Sequence, residues 1–161
     1  MPSPSPKQVL VTGGAGYVGA VLVPKLLEAG WRVRVLDWYI DGNDVLDAVR
    51  HHPNLRQTQG GLLDQRLLAG LLPGCEAVIH LACISNDPLG DLDPECTYDI
   101  NHRGTTHLAV QAKAAGVERF LFSSSCSLYG AAGDDFLDES ASFNPVTPYG
   151  WSKIRAEEDL D

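Results

Sequence analysis

Val9-Leu10-Val11-Thr12-Gly13-Gly14-Ala15-Gly16-Tyr17-Val18-Gly19 runs from an apolar strand pattern straight into regularly spaced glycines. Gln8–Thr12 is a compact apolar run, and from Tyr17 to Ala29 the apolar period becomes helical and closes at Gly30. Gly13, Gly16 and Gly19 stand at G-x-x-G-x-x-G spacing between the two. That placement suits a tight turn, close backbone approach to a pyrophosphate, and close helix–strand packing. Free N–H groups and the positive end of the helix dipole then hold the phosphates. A glycine trio alone carries little, but between a strand and a helix it carries far more.

Working outward, Trp31–Leu36 reads as a second strand that ends on Asp37, 18 residues past Gly19. A carboxylate there can bind both ribose hydroxyls and repels a 2′-phosphate, which favours NAD over NADP. The alternative is an aspartate in a surface turn. Further on, the pattern predicts a helix within Asp44–His51, a strand over Leu55–Thr58 and a helix from Asp64 to Leu72. A strand follows over Glu76–Ala82, then an acidic, solvated loop over Asp87–Glu95. A long helix is expected from Pro94 to Ala115, a strand over Arg119–Ser123, and a last helix from Thr147-Pro148 after an irregular stretch. Continuous apolar strands alternating with helices predict an α/β, Rossmann-type doubly wound parallel sheet. Pro24 lies inside the first predicted helix and implies a kink, because it removes the hydrogen bond to the Ala20 carbonyl.

The bulk numbers describe an ordinary globular chain: 161 residues, 44% hydrophobic and 20% charged. The formal net charge of −9 argues against nucleic acid or anionic membrane as a partner. Residues 1–6, with three prolines, predict a disordered leader, and residues 7–161 a single NAD(P)-binding domain. Cys75, Cys83, Cys96 and Cys126 form no C-x-x-C pair and are expected as buried thiols in a reducing cytoplasm. His102 and His107 are five apart, a poor fit to paired ligands on one helix face, and His80 suits a satisfied core histidine. No metal site is expected. Trp31 and Trp151 are expected as packing residues.

Thr147-Pro148-Tyr149-Gly150-Trp151-Ser152-Lys153 places a tyrosine and a lysine four apart at a helix start. Thr147 suits the N-cap and Pro148 the first helical position, and Tyr149 and Lys153 share one face. A phenol near an ammonium can become a phenolate and take a proton from an alcohol as hydride leaves the carbon. Ser123-Ser124-Ser125-Cys126-Ser127-Leu128-Tyr129-Gly130 follows a strand at its carboxyl end, where open α/β sheets bind ligands.

With Thr12–Gly19, His80–Ala82, Asn101–Thr105, Ser123–Gly130 and Tyr149–Lys153, the chain resembles the NAD-dependent epimerase/dehydratase family of extended short-chain dehydrogenases, in particular the UDP-glucose 4-epimerases. The resemblance implies an enzyme that removes hydride from a nucleotide-sugar carbon to NAD and returns it to the other face. It implies Ser125 as the catalytic serine, Tyr149 as the base and Lys153 as its electrostatic partner. It implies that Tyr17, Val18, Asp37, Trp38, Leu62, Leu81, Ala82 and Cys83 line the NAD site beside the glycines.

Three departures stand out. Gly61 replaces an aspartate the family often has near the adenine, with Asp64 a poor substitute. Cys126 and Ser127 stand where related dehydratases carry acids, which disfavours dehydration. The family continues with further strands and a substrate domain, so the expectation is a sheet truncated before both. A non-catalytic NAD-binding module and an NAD-dependent reductase, dehydrogenase or dehydratase stay open as alternatives. Homodimerisation stays open too.

Overall fold

Five short strands form one parallel sheet: β1 Gln8–Thr12, β2 Arg32–Asp37, β3 Leu55–Gln59, β4 Ala77–His80 and β5 Arg119–Phe122. Their order is β3-β2-β1-β4-β5, with Val9 beside Val33 on one side and Ala77 on the other. The computed structural model describes residues 7–40, 42–85, 87–130 and 136–161. The leader expected over residues 1–6 lies outside them.

The sheet order explains the strand compositions. Central β1 is buried along its whole length, which matches its unbroken apolar run. At one edge, β3 buries Leu55 and turns Arg56, Gln57 and Gln59 outward. At the other, β5 leaves Leu121 half-exposed. Alternate β1 side chains serve opposite faces. Val9 and Val11 pack with Val23 and Leu27 of helix α1 (Tyr17–Glu28). Leu10 packs with Leu36, Val78, Leu108, Ala112 and Leu68 of helix α2 (Gln65–Leu71). The chain leaves β1 for β2 on one side and returns on the other through β4. The two carboxyl ends therefore flank the crossover point where such sheets take ligands.

The chain separates into two compact units, one of residues up to Ala82 with Leu108–Ser123, the other of Cys83–His107 with Ser124–Asp161. The first holds the sheet. In the second, α3 (Asp87–Leu92) and α4 (Pro94–Tyr98) lead into a π-helical turn, Asp99–Arg103, and into the start of α5 (Gly104–Ala114), which from Leu108 on belongs to the first. A 3₁₀ turn, Cys126–Tyr129, precedes α6 (Pro148–Leu160). None of the described helices is long and apolar enough to cross a membrane.

Several local expectations are corrected. Asp44–His51 yields only a 3₁₀ turn at Asp47–Val49. Leu46 is its one fully buried anchor, too little to offset helix nucleation. The acidic loop at Asp87–Glu95 begins as helix α3, since Asp87 and Pro88 supply a first-turn acid and a pre-set φ. The Pro94–Ala115 helix is interrupted by the π turn, whose Asn101 is drawn inward by hydrogen bonds to Ile84. Pro24 does lie inside helix α1, as its position in the pattern implied. Of the four free cysteines only Cys75 is buried, and Cys126, on the 3₁₀ turn, is exposed. Trp31 packs against the core, whereas Trp151 is 46% exposed, on the outer side of α6.

Candidate functional site

In the first unit, the glycine loop is built with no room for side chains. Gly13 has φ +72, and a Cβ on it would lie 2.6 Å from the Ala82 nitrogen. A Cβ on Gly14 would meet Val35 at 2.9 Å, and one on Gly19 would lie 2.3 Å from the Gly14 carbonyl oxygen. Gly13 N–H donates to Leu36 O at 2.9 Å and Gly16 N–H to Gly13 O at 3.1 Å, which closes the turn. Helix α1 then starts after Gly16 with no side-chain cap and no acid in its first turn. Its amino end therefore presents partial positive charge and N–H groups that no side chain answers. Such a cradle suits an anion.

Asp37 ends β2 as expected. Its Oδ2 accepts from Ala15 N–H at 2.9 Å and its Oδ1 from Tyr39 N–H at 2.8 Å. Each carboxylate oxygen keeps a second lone-pair direction. Tyr39 sits at φ +58, and burial together with the Asp37 charge pushes its phenol up to about 12. Trp38 follows Asp37 half-exposed, with its indole Nε1 only 2.6 Å from where a Cβ on Gly61 would stand. The glycine at 61 is thus matched to an indole that takes the space of a side chain. Asp64 is occupied elsewhere, capping α2 at Leu67 N–H (3.0 Å).

Tyr17 and Val18 are exposed at the start of α1, while Leu62 is buried on the other face of the sheet, with Leu10 and Leu36. Leu81 and Ala82 continue from β4, partly buried, with Leu81 N–H donating to Thr12 O at 3.0 Å. His80 is a core histidine: its Nδ1 lies 2.6 Å from Thr12 Oγ1, and its ring packs against Phe120 and Phe122. Among the described residues, no three His, Cys, Asp or Glu side chains cluster as a metal site.

The second unit gathers the proton-transfer candidates. Thr147 Oγ1 accepts from Gly150 N–H at 3.2 Å and caps α6, while Pro148 fills the first helical position. Tyr149 and Lys153, 7% and 3% exposed, follow one turn apart, with the ammonium 5.8 Å from the phenol ring centroid. Ser125 caps the 3₁₀ turn by accepting from Ser127 N–H at 3.1 Å, and it also hydrogen-bonds the Tyr149 side chain.

Burial pushes the Tyr149 phenol above its ordinary value, with the Ser125 hydrogen bond opposing and Cys83, Asp87 and Cys126 adding to the rise. Burial pushes Lys153 down, opposed by Cys83, which also hydrogen-bonds it, and by Glu157. Ser124 Oγ is buried and has no hydrogen-bond partner.

Three residues here were given no role from the sequence. Asp87 accepts from Thr147 Oγ1 at 2.6 Å. Gly90 of α3 packs on Tyr149, where a Cβ would lie 3.3 Å from the tyrosine Cβ. Asn101 binds both backbone groups of Ile84, at 2.7 and 2.9 Å, and donates to Ser152 Oγ at 3.3 Å. Ser152 in turn donates to the Tyr149 carbonyl at 2.7 Å. Only Asn101 had a sequence signal, as part of Asn101–Thr105.

The sequence model of the NAD dependent epimerase/dehydratase family matches residues 9–161. The UDP-glucose 4-epimerase of Rhizobium leguminosarum bv. trifolii is 34% identical over 154 residues, covering 94% of this chain and 46% of that protein. Among solved structures, the dTDP-glucose 4,6-dehydratase DesIV of Streptomyces venezuelae, with NAD and TYD bound, superposes with TM-score 0.89 at 32% identity. That match covers 94% of this chain and 50% of DesIV. The UDP-N-acetylglucosamine 4-epimerase of Methanobrevibacter ruminantium gives TM-score 0.89 at 29% identity, over 97% of this chain and 50% of that one. The chain thus spans about half the length of these relatives.

Proposed function

From the chain's membership of the NAD dependent epimerase/dehydratase family, we propose that it forms the cofactor-binding part of an NAD-dependent nucleotide-sugar epimerase. The observation that carries the reading is the buried Tyr149–Lys153 pair with Ser125 hydrogen-bonded to the phenol. Burial alone opposes a phenolate, so a base at this position needs a positive neighbour and a hydrogen-bond donor. Lys153 and Ser125 supply them.

The glycine loop fits a dinucleotide, because its three tight positions leave the backbone open to a pyrophosphate and the α1 amino end faces it uncapped. Asp37 would take the ribose hydroxyls on its free lone pairs, and Trp38 would flank the adenosine. Tyr17, Val18, Leu62, Leu81 and Ala82 would complete the lining, Leu62 from its backbone because its side chain is in the core. Bound NAD supplies a hydride acceptor. Tyr149 takes the proton from the sugar hydroxyl, Lys153 stabilises the charge left on the phenol during that transfer, and Ser125 hydrogen-bonds the substrate oxygen.

Dehydration is the weaker reading, because Cys126 and Ser127 offer no carboxylic acid at the turn. Free thiols suit a reducing compartment such as the cytoplasm.

The test is a native mass spectrum of the purified protein with added NAD, followed by incubation with UDP-glucose and dTDP-glucose. Retained NAD is expected of this chain, and an epimerised sugar without net NADH is expected once it is joined to a substrate-binding part. Accumulating NADH would replace the epimerase by a dehydrogenase. A chain that gains no NAD would overturn the reading.

A further inference from the structure

Taking Tyr149 as the base, we propose that Asp87 is its positioning residue, acting through the Thr147 hydroxyl on the first turn of α6. The geometry is a relay. Thr147 Oγ1 donates to Asp87 Oδ1 at 2.6 Å and accepts from Gly150 N–H at 3.2 Å, so one hydroxyl joins α3 to the amino end of α6. A threonine cap with its own proton unassigned can rotate, but one whose proton goes to a carboxylate cannot without breaking a charge-assisted bond. Tyr149 sits between the two ends of this relay, in the same turn.

Helix α3 also meets Tyr149 at its backbone and Cβ. Gly90, three residues after Asp87, lies where a Cβ would come within 3.3 Å of the Tyr149 Cβ and 3.4 Å of its nitrogen. Beside it, the single Thr97 hydroxyl proton is shared between the Gly90 and Asp93 carbonyls, at 3.2 and 3.0 Å. Asp87 therefore starts a short helix that meets the first turn of α6 at two points, Asp87 and Gly90, in a segment whose other acids face solvent.

The relay has an electrostatic side. The groups facing the Tyr149 phenol are Ser125 and Cys126 from the 3₁₀ turn, Cys83 from the segment after β4, Lys153 from α6 and Asp87 from α3. Asp87 is the carboxylate of this set, and its negative charge disfavours the phenolate, opposing Lys153. It thus fixes the base in place and delays its deprotonation. A residue that only capped a helix would do the first alone.

Two variants separate these roles. D87N keeps an oxygen for the Thr147 hydroxyl and removes the charge, whereas D87A removes both. With tyrosines labelled at Cζ and Tyr149 assigned by its loss in Y149F, the phenol should titrate at lower pH in D87N than in the wild type. Gly150 amide exchange should stay slow in D87N and accelerate in D87A and T147V, with T147S restoring protection. A Tyr149 titration not lowered by D87N within the folded range, or Gly150 exchange unaffected by D87A, overturns the proposal. These readouts need neither cofactor nor substrate, so failure of the epimerase reading would show separately, as absent NAD binding.

Discussion

Replacing Gly19 with alanine opposes two effects of known size. Gly19 lies inside α1 with an ordinary helical φ, so alanine gains helix propensity worth about 1 kcal/mol. Against this, the new methyl would stand 2.3 Å from the Gly14 carbonyl oxygen and 2.5 Å from the Gly14 carbonyl carbon and Cα. These are backbone atoms of the turn, which no rotamer change can move away. Overpacking costs about 1–3 kcal/mol, and an obstacle of this kind belongs at the upper end. The net expectation is a loss of about 2 kcal/mol.

Gly70 is the internal control. It lies within α2, and a Cβ there would meet nothing within 4 Å, so G70A should stabilise by about 0.5–1 kcal/mol. Urea unfolding reads both. At an m-value of about 2 kcal/mol/M, G19A lowers the midpoint by about 1 M and G70A raises it by a fraction of that. Calorimetry with NAD adds a second reading, since α1 pushed off Gly14 takes its amino end with it and weakens binding. A G19A protein as stable as the wild type would refute the close-packing argument, and tight NAD binding by it would refute the cradle.

Two other outcomes follow from buried groups. T12V removes the partner of His80 Nδ1 at a fully buried site, which should cost about 1–3 kcal/mol. The T12V/H80F double variant should recover part of that, and a double-mutant cycle with no coupling would show that the contact carries nothing. Lys153 titrates below its ordinary value in the folded protein, so between that depressed value and the unfolded lysine value of about 10.4 the unfolded chain holds the extra proton. Stability therefore rises with pH across that window on account of this group. K153M should lack the rise, and urea midpoints of the two proteins that run parallel through the alkaline range would contradict it.

What the sequence shows and hides follows from the range of the interactions. The β1–loop–α1 unit was legible because its physics is local: a period change, a turn needing glycine, and a strand end bearing Asp37. Tyr149 and Lys153 were legible for the same reason, being one helical turn apart behind a recognisable cap. Asp87 was not, because its partner Thr147 is 60 residues away and its neighbours look like a solvated acidic loop. Gly61 showed only as a missing carboxylate. That an indole takes its place depends on Trp38, brought alongside by the sheet. The π turn was hidden because Asn101 earns it by bonding Ile84, 17 residues earlier.

That bonding has a consequence for how the chain after β4 is held. Asn101 accepts from the Ile84 N–H and donates to its carbonyl, which is what a neighbouring strand does for a residue in a sheet. A ladder can lose one rung while the rungs on either side keep the strands in register. Here both bonds end on one amide group, so they form and break together. Ile84, next to Cys83, is therefore held by an all-or-none fastening, and an isosteric aspartate at 101 would convert half of it into repulsion between two acceptors.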